Sequence, residues 1–432
     1  MKSLWLKILA GLARKTIRKY EPMVIGVTGS VGKTSTKEAI FAVLNTKWSV
    51  RTSEKNYNNE VGLPLTILGI PHYGRNVLGW TWALIRARLR LFSPVRLYPK
   101  VLVLEYAVDR PHDMEYLLSI AKPNIAVVTA IGEVPAHVEF FKDPEELVAE
   151  KSKLVKALGR DGYAILNHDD YAVYDMREKT KARVMTYGME ERAEIKITNF
   201  GLRMLKDAER GDIPDGVSFK IEHGGDVVPF RLQHSFGLPQ VYAAAAAAAT
   251  GLLMDMNLVE ISEAINKWIP PPGRLRLLKG IKKSFILDDT YNASPESMRA
   301  ALDSLRKLPG RRKVAVLGDM LEIGKYSEAA HRAIGDEAAG FVDLLFCVGP
   351  RAKFIADEAR AKGRKEVYEF DDPISVGKAL DPQIQPGDLI LVKGSQALRM
   401  EKTVYEIMAD PQRARELLVR QDISWKRRPG TL

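Results

Sequence analysis

A glycine-rich loop between a short apolar run and a helical stretch restricts the fold of this chain most. Residues 23–27 are apolar apart from one glycine, the loop reads Thr28-Gly-Ser-Val-Gly-Lys-Thr34, and helical spacing runs over residues 33–44. The apolar run predicts a buried strand. Glycines let backbone N–H groups approach phosphate oxygens at the N-terminus of a helix. The order strand, loop, helix therefore predicts a nucleotide-binding α/β domain.

The loop only partly follows the strict phosphate-loop pattern, because position 27 is Val where that pattern has Gly. Lys33 is still placed to neutralise the β- and γ-phosphates of a nucleoside triphosphate, and the Thr34 hydroxyl to hold Mg²⁺. The alternative is a glycine turn with a lysine there by chance. The predicted nucleotide contacts are Thr28, Gly29, Ser30, Val31, Gly32, Lys33, Thr34 and Ser35.

Apolar runs and helical patterns alternate beyond the loop. Runs at 101–104 and 125–129 predict buried strands, and residues 143–158 have helical spacing. Such alternation predicts a parallel sheet covered by helices, with ligands at the carboxyl ends of its strands. Residues 194–233 alternate with period two, which indicates a small antiparallel insertion. Seven consecutive alanines at 243–249 favour a helix.

The proline-rich stretch at 270–273 is the clearest linker signal, and the strand–helix alternation restarts after it. We therefore expect an α/β protein with a P-loop central domain, built on a parallel sheet, and a C-terminal Rossmann-like α/β domain. The predicted divisions are an N-terminal helix at 1–21, the central domain at 22–272 and the C-terminal domain at 273–432.

Composition narrows the class of protein. The 432 residues suffice for two or three domains, and 46% apolar with 28% charged residues excludes disorder, collagen and coiled coil as the main architecture. The single cysteine, Cys347, excludes an intramolecular disulfide and fits a reducing compartment. A net charge of +11 suits phosphorylated substrates, nucleic acid or an anionic membrane.

Two segments could contact a membrane surface. Residues 1–20 form a basic pattern with apolar residues at helical spacing, which predicts a helix that lies on a membrane or packs on its own domain. Residues 79–96 combine tryptophans and leucines with four arginines, which indicates surface attachment or a lid over a site. Neither has the uninterrupted apolar run of about 20 residues that a membrane span needs, and the first lacks the features of a secretory signal.

A series of ordered motifs resembles the Mur ligases, most closely the MurF type. The motifs span most of the region from about 22 to 410 and lie at 28–36, 56–64, 104–105, 131–137, 150–152, 272–274, 288–295, 317–322 and 392–395. The resemblance implies an ATP-dependent amide ligase of peptidoglycan precursor synthesis. Such an enzyme transfers the γ-phosphate of ATP to a substrate carboxylate, and an amine then attacks the acyl phosphate. It implies D-Ala-D-Ala as amine and a UDP-MurNAc-peptide or similar as carboxylate donor.

The same resemblance implies the metal and catalytic residues. Thr34 and Glu105 would hold one Mg²⁺, and His137 and Lys151 a second. Lys151 follows His137 by 14 positions, the family's spacing for a carbamylated lysine. An ammonium cannot ligate a metal, whereas a carbamate can, and carbamylation needs the neutral amine. Lys33, His137 and Lys151 are thus the predicted catalytic residues; as an alternative, Lys151 is one of several lysines on an ordinary helix face.

Further contacts are implied around the ATP. Asn292 matches the adenine contact, Arg274 would reach phosphate across the domain cleft, and Asp319 and His331 would line the nucleotide site. Four residues are the predicted substrate contacts: Asn58, Asn59, Glu60 and Lys393.

The chain also departs from the family pattern. The phosphate loop begins near residue 26, so we expect no UDP-binding domain before it, and Gly237-Leu-Pro-Gln replaces a stretch that carries His and Asn in the family. One alternative is another ligase of the superfamily, such as a poly-glutamate, cyanophycin or folylpolyglutamate synthetase. A second is a non-catalytic nucleotide-binding or membrane-docked protein, and a nucleic-acid-binding ATPase ranks last. We expect no nucleic-acid partner. We expect the protein to be cytoplasmic, with possible peripheral contact to the inner membrane face.

Overall fold

Two mainly parallel β-sheets organise the chain. The computed structural model describes residues 2–53, 58–74, 76–207, 211–422 and 425. Met1 and residues 56–57 of the predicted substrate motif lie outside these ranges. The first sheet contains β1 (Met23–Thr28), β2 (Val50–Thr52), β3 (Val101–Glu105), β4 (Ile125–Val128), β5 (Tyr163–Asn167), β6 (Arg183–Gly188), β7 (Ile195–Asp207), β8 (Gly211–His223) and β9 (Asp226–Gln233).

The strand order of this sheet is β2-β3-β1-β4-β5-β6-β7-β8-β9. All pairs from β2 to β7 are parallel, and β8 pairs antiparallel with both of its neighbours. The antiparallel region predicted at 194–233 is present, but it extends the edge of the main sheet because β7 pairs with β6. Helices around this sheet are α1 (Lys2–Tyr20), α2 (Lys33–Leu44), α3 (Gly62–Leu68), α4 (Val77–Arg90), α5 (Asp113–Ile120), α6 (Pro144–Lys156), α7 (Tyr171–Tyr174), α8 (Leu238–Leu253) and α9 (Leu258–Lys267).

The second sheet follows the proline-rich stretch. Its strand order is β10-β11-β15-β12-β13-β14, with β10 as an antiparallel edge on an otherwise parallel sheet. Its strands are β10 (Arg276–Lys279), β11 (Phe285–Asp289), β12 (Lys313–Gly318), β13 (Leu344–Val348), β14 (Val367–Phe370) and β15 (Leu389–Lys393). Its helices are α10 (Pro295–Lys307), α11 (Ser327–Ala339), α12 (Lys353–Ala361), α13 (Pro373–Leu380), α14 (Glu401–Ile407) and α15 (Ala414–Leu417).

Burial explains the centre of the first sheet. β1, β3 and β4 are apolar and buried on both faces, as strands between two helix layers must be. Since β1 lies between β3 and β4 and all three run in parallel, their carboxyl ends meet at one edge. Val27 pairs with Glu105 and Thr28 with Val128 there. This edge carries the phosphate loop.

Helix α8 contains the seven alanines, all fully buried, and it packs along α2. Alanine keeps the two helix backbones close because its side chain adds only a methyl group. α2 begins at Lys33 and ends at Leu44, so the helix that starts at the phosphate loop rests on α8 over its length.

Helix α1 packs on its own domain, against α3, α4 and α5. Leu9, Ala10 and Ala13 are buried in these contacts, which is the second of the two alternatives for residues 1–20. Among the residues that the structure describes, no helix is both long and apolar enough to span a bilayer.

Candidate active site

A cavity of about 670 Å³ lies between the phosphate-loop edge of the first sheet and the loops of the second. Residues that precede and residues that follow the proline-rich linker line it, so two distant parts of the chain enclose the cavity. Ten of the predicted site residues line this cavity: Ser30, Val31, Gly32, Lys33, Thr34, Asn58, Glu105, His137, Arg274 and Asn292.

The phosphate loop needs glycine at two positions. Gly29 has φ 142° and Gly32, the N-cap of α2, has φ 89°. A Cβ on Gly29 would lie 2.0 Å from Oγ1 of Thr129, so any side chain there collides with the end of β4. The loop is further fixed because the N–H groups of Ser30 and Val31 both donate to the carbonyl of Ala130, at 2.7 and 3.0 Å.

The amides left to receive phosphate are those at the start of α2. The first N–H groups of a helix have no acceptor within the helix, and together with the helix dipole they attract an anion. Ser30 and Val31 line the cavity, but their amides are engaged with Ala130. Thr28 and Ser35 are buried outside it, and the Thr28 hydroxyl donates to the carbonyl of Tyr106 at 2.9 Å. The structure thus narrows the predicted phosphate contacts to the region of Gly32–Thr34.

Two lysines converge on the loop, Lys33 half-buried at the cavity wall and Lys151 fully buried. Nζ of Lys33 donates to the carbonyl of Gly29 at 2.9 Å, and Nζ of Lys151, from α6, donates to the same oxygen at 3.0 Å. Burial lowers the pKa of Lys33, and Arg274 lowers it further against the opposing effect of Glu105. Burial also holds the pKa of Lys151 well below its usual value, and the charge of Lys33 adds to this. Lys151 is 1% exposed and lies behind the cavity wall.

Oxygen and amide groups surround the first turn of α2. Oγ1 of Thr34 donates to Oε2 of Glu105 at 3.2 Å, and Nδ2 of Asn58 donates to the other carboxylate oxygen at 3.0 Å. Nη2 of Arg274 lies 3.4 Å from the Thr34 hydroxyl. The Arg274 guanidinium also stacks on the Tyr291 ring, with Cζ 3.8 Å from the ring centroid. Arg274, which directly follows the proline-rich linker at 270–273, therefore contacts the phosphate loop.

His137 links the two halves of the cavity. It follows β4 with φ 71°, and its Nδ1 lies 2.8 Å from Oε2 of Glu322, which comes after β12. Its Nε2 lies 3.5 Å from Oδ1 of Asp109. The contact with His137 lowers the pKa of Glu322. The N–H of Glu139 also donates to the Glu322 carbonyl, so backbone and side chain both cross the cleft at this point.

Asn292 faces the cavity because Lys393 supports its loop. Nζ of Lys393 donates to the Asn292 carbonyl at 2.8 Å and forms an ion pair with Asp289 at 2.5 Å. Oδ1 of Asn292 accepts from the N–H of Gln396 at 3.2 Å. Lys393 is 1% exposed and does not line the cavity. In this structure the ammonium of Lys393 holds the Asn292 loop, and a substrate contact of Lys393 stays a prediction.

Asp319 and His331 also lie away from the cavity. Oδ1 of Asp319 accepts from the N–H groups of Arg351 and Ala352, at 2.9 and 2.7 Å, just before α12. Nε2 of His331 accepts from the N–H of Met320 at 2.9 Å, while Nδ1 lies 2.7 Å from the Ser327 carbonyl. Their polar atoms are occupied within the fold, so the structure does not bring these two predicted residues to the nucleotide site.

The predicted substrate loop contributes only Asn58 to the cavity lining. Oδ1 of Asn59 accepts from the N–H groups of Val61 and Gly62 at the start of α3, at 3.2 and 3.0 Å. Glu60 is exposed and is not part of the lining. Asn59 and Glu60 thus lie in a turn outside the cavity lining, and their contact with substrate stays a prediction.

The cavity also contains residues that the sequence analysis did not select. These are chiefly Asp109, Tyr291, Glu322, Arg399 and Trp425. Asp109 lies four residues after the end of β3. Because ligands bind at the carboxyl ends of parallel strands, this position could have identified Asp109 as a candidate site residue from the sequence. Glu322 closes a motif already noted at 317–322. Arg399 and Trp425 reach the cavity through the fold of the C-terminal segment, for which the sequence carries no local signal.

Part of the predicted magnesium chemistry fits this arrangement. The Thr34 hydroxyl and the Glu105 carboxylate are hard oxygen donors at the phosphate end of the cavity, and Mg²⁺ prefers few protein ligands completed by water and substrate phosphates. Among the residues that the structure describes, no group of three or more His, Cys, Asp and Glu side chains is arranged to hold a metal ion. His137 contacts Glu322 and Lys151 contacts Gly29, so the second predicted set is not assembled here.

Comparisons with known proteins agree on one family. The pattern of the Mur ligase middle domain matches residues 27–77 and 84–249, and that of the Mur ligase glutamate ligase domain matches 273–396. The UDP-N-acetylmuramoyl-tripeptide–D-alanyl-D-alanine ligase of Synechocystis sp. (strain ATCC 27184 / PCC 6803 / Kazusa) is 31% identical over 395 residues, which cover 91% of this chain and 76% of that protein. The enzyme of the same name from Bacillus subtilis (strain 168) is 28% identical over 414 residues, covering 94% and 80%.

A solved relative shares the architecture. The crystal structure of the MurF ligase from Thermotoga maritima in complex with ADP has a TM-score of 0.75 to this chain at 27% identity. The match covers 93% of this chain and 83% of that one. Both sheets are therefore common to the two proteins.

Proposed function

This chain belongs to the Mur ligase family of ATP-dependent amide-forming ligases, and we propose that it attaches D-alanyl-D-alanine to the carboxylate of a UDP-N-acetylmuramoyl peptide or a close analogue. The proposal includes a role in peptidoglycan precursor synthesis. One observation carries it: Lys33, Thr34 and Glu105 meet Arg274 and Asn292 across a single cavity.

The nucleotide site is proposed at the first turn of α2. The amides around Gly32–Thr34 would bind phosphate oxygens, and Lys33 would swing from the Gly29 carbonyl toward the β- and γ-phosphates. Asn292 would contact the adenine on the opposite side. Thr34 and Glu105 would hold Mg²⁺, which when bound offsets the negative charge of the phosphates.

Two bond exchanges complete the proposed reaction. A carboxylate oxygen of the donor attacks the γ-phosphorus as its bond to the bridging oxygen breaks, which gives an acyl phosphate and ADP. The amine then attacks the acyl carbon and phosphate leaves, which gives the amide and releases a proton. Positioning and cations do most of the work in phosphoryl transfer. Lys33 and Arg274 are the cations of the cavity wall at the phosphate loop, and Arg399, which also lines the cavity, is paired with Glu401.

Water must be kept from the acyl phosphate until the amine arrives. The contacts of Arg274 with Thr34, and of Glu322 with His137, join the parts of the chain that enclose the cavity. Closure of this kind excludes water and orients the reactants. We place the domain limits at 1–21, 22–272 and 273–432, since the first sheet ends at Gln233 and the second begins at Arg276.

An assay of amine-dependent ADP release tests the function. Purified protein, ATP and Mg²⁺ are incubated with UDP-MurNAc-tripeptide, and D-Ala-D-Ala, D-Ala or L-Glu is supplied as amine. We expect ADP release and a new amide product with D-Ala-D-Ala. Turnover with L-Glu on a folate or poly-glutamate acceptor, and none with D-Ala-D-Ala, would assign the protein to another ligase of the superfamily.

Location is part of the proposal. We place the protein in the cytoplasm, where ATP and the nucleotide-linked donor are available, with peripheral contact to the inner membrane face through residues 1–20 and 79–96. The exposed apolar side chains of the second segment support this contact.

A further inference from the structure

The positive charge of this protein is concentrated in two segments. Residues 1–20 and 61–104 contain 12 of the 65 Lys and Arg residues and none of the 54 Asp and Glu residues. The rest of the chain therefore carries 53 basic and 54 acidic residues, which is almost neutral. The net charge of +11 is thus a property of these two segments rather than of the whole surface.

The fold places the two segments side by side. α1 packs on α3 and α4, both of which belong to the second segment. Nζ of Lys19 donates to the carbonyls of Leu91 and Ser93, and the Tyr20 hydroxyl donates to the carbonyl of Arg90. The Tyr20 ring stacks on that of Tyr98 at a centroid distance of 4.4 Å. The two acid-free segments are therefore adjacent in the fold.

An apolar stripe runs along the outer side of α4 in this region. We define the α4 stripe as Leu78, Trp82, Ile85, Leu89 and Phe92, all of which are exposed. Leu78 and Phe92, at its two ends, are 83% and 80% exposed. The spacing of four, three and four residues keeps the first four side chains on one side of α4, and Phe92 follows in the turn after the helix ends at Arg90.

The opposite side of α4 faces the domain. Ala83 and Ala87 are buried there, and Arg90 donates to the carbonyls of Leu68 and Gly69 at 2.7 and 2.9 Å. Packing on the protein therefore leaves the α4 stripe uncovered. The α4 stripe is exposed because the other side of the helix packs on the domain.

Cations flank the α4 stripe on both sides. At about 100° per residue, Arg86 and Arg88 fall some 80° to either side of the stripe's axis, and both are exposed. Arg96 is exposed just beyond it, and Arg18 and Lys15 are exposed on the neighbouring α1. An apolar stripe bordered by cations, with a tryptophan in it, is the pattern of a helix that lies in the interface of an anionic membrane.

We infer that α4 docks flat on an anionic lipid surface, with the α4 stripe at the boundary between headgroups and acyl chains. Arg86, Arg88 and Arg96 bind the headgroups, and α1 contributes mainly positive charge, since Leu9, Ala10 and Ala13 of its apolar side are buried in the domain. The middle-domain pattern of the family leaves residues 78–83 unmatched, so the start of the stripe is not part of that shared pattern. This docking concerns a surface away from the cavity and does not depend on the identity of the ligase substrates.

Two other occupants fit less well. In a symmetric dimer through this face the same patch would meet its own copy, so arginines would oppose arginines with no acid in the region to pair with them. A nucleic acid would use the cations but would leave the five apolar side chains in water.

Vesicle co-sedimentation tests the docking. The purified full chain is mixed, at low salt, with vesicles of phosphatidylcholine alone or with one third phosphatidylglycerol. We expect pelleting with the anionic vesicles that is at least tenfold stronger than with the neutral ones. W82S/L89S should reduce pelleting at least tenfold, and R86Q/R88Q should remove most of the preference for phosphatidylglycerol.

The controls separate docking from misfolding and from dimerisation. Y171S and V259S change exposed apolar residues on α7 and α9 and should pellet like the unchanged protein. ATP binding by W82S/L89S, measured by calorimetry, should be unchanged. No pelleting with anionic vesicles, or equal pelleting by W82S/L89S, overturns the inference. A dimer in vesicle-free solution that W82S/L89S converts to monomer would assign the stripe to a second copy instead.

Discussion

Lys33 and Lys151 donate hydrogen bonds to the same backbone oxygen, the carbonyl of Gly29. Two ammonium groups that share one acceptor repel each other, and Lys151 is fully buried while Lys33 is half-buried, so the charged form of each is disfavoured. The pKa of Lys151 is lowered more strongly, first by burial and then by Lys33. A lysine with a depressed pKa offers the neutral amine that CO₂ can capture, which makes the predicted carbamate of Lys151 chemically accessible.

Removal of Lys151 should abolish the ligase reaction. We expect Lys151→Ala to lose more than about 100-fold in kcat, because loss of even an outer partner of a metal ligand costs 10–100-fold. Added acetate or formate should restore part of the rate, since a small carboxylate can replace a carbamate. The measurement is ADP release with and without the added acid.

Lys153→Ala is the matched control on the same helix. Lys153 pairs with the exposed Glu115 and with the buried Glu150 and makes no contact with the phosphate loop, and Glu150 keeps its bond from the Met114 N–H, so removal of Lys153 should leave the rate within about twofold. Full activity of Lys151→Ala would remove the catalytic role of that lysine, and a loss without any rescue would speak against a carbamate.

The pair Thr34–Glu105 should set the magnesium requirement. Thr34→Val keeps the shape of the side chain and loses the hydroxyl that lies 3.2 Å from Glu105. We expect the Mg²⁺ concentration that gives half-maximal rate to rise about tenfold or more. Such an increase corresponds to the free energy of one contact that involves a charged group. Thr46→Val, at the other end of α2, loses only a bond to the Val43 carbonyl and should leave the Mg²⁺ titration unchanged. Identical titrations for both variants would contradict the assignment.

Gly29 should not tolerate even a methyl group. A Cβ there would lie 2.0 Å from Oγ1 of Thr129, at a φ of 142° that other residues rarely adopt. Gly29→Ala should lose nucleotide binding, measured by calorimetry with ADP, and lower the melting temperature. Gly159→Ala meets nothing within 4 Å and should behave like the unchanged protein. Tight ADP binding by Gly29→Ala would show that the loop relaxes more than its contacts with β4 suggest.

Activity should depend on the planar guanidinium of Arg274 and not only on its positive charge. Its guanidinium stacks 3.8 Å from the Tyr291 ring centroid while it reaches Thr34, and lysine cannot do both. Arg274→Lys should lower kcat/KM for ATP by about tenfold, the equivalent of one stacking contact of roughly 1–2 kcal/mol. Arg306→Lys removes a similar contact with Phe341, outside the cavity, and should leave kcat/KM unaltered. Equal values for the two variants would exclude a role of the stacked geometry.

His331 should make the C-terminal domain sensitive to mild acid. Burial lowers its pKa from 6.5 to about 4. Between these values the unfolded chain binds a proton that the folded chain does not, so stability falls as the pH falls through this window. The loss should reach up to about 3 kcal/mol at pH 4. Denaturant unfolding at pH 7 and pH 4 measures it.

A variant without the buried imidazole isolates this contribution. His331→Gln should be less stable at pH 7, because the Met320 amide loses its acceptor, but it should show a smaller drop on acidification. His112→Gln, at an exposed site, should keep the full drop. A drop in His331→Gln as large as in the unchanged protein would assign the acid sensitivity to other groups.

Local chemistry explains what the sequence predicts well. The bounds of β1 and α2 follow from an apolar run, two glycines and helical spacing, all of which act within about 20 residues. Strand ends also place Glu105 beside Thr34, since parallel neighbours end at one edge. The family motifs add Asn292 and Arg274, and both line the cavity.

The remaining site depends on contacts between distant residues. Nothing near His331 shows that its imidazole accepts from Met320, and nothing near Lys393 shows that Asp289 holds its ammonium. Both side chains look available in the sequence and are occupied in the fold. Conversely, Trp425 reaches the cavity only because the final segment returns to it. Periodicity does not encode such long-range arrangements.

The alanine run of α8 has a consequence for how this enzyme tolerates change. The helix that begins with Lys33 and Thr34 packs along a helix whose seven consecutive alanines are fully buried, so a larger side chain in that run has no free space to occupy. A bulkier residue in this run, which does not line the cavity, would disturb the packing of α8 on α2 and with it the position of the phosphate loop. Evolution of this protein is therefore constrained at a position where no chemistry takes place.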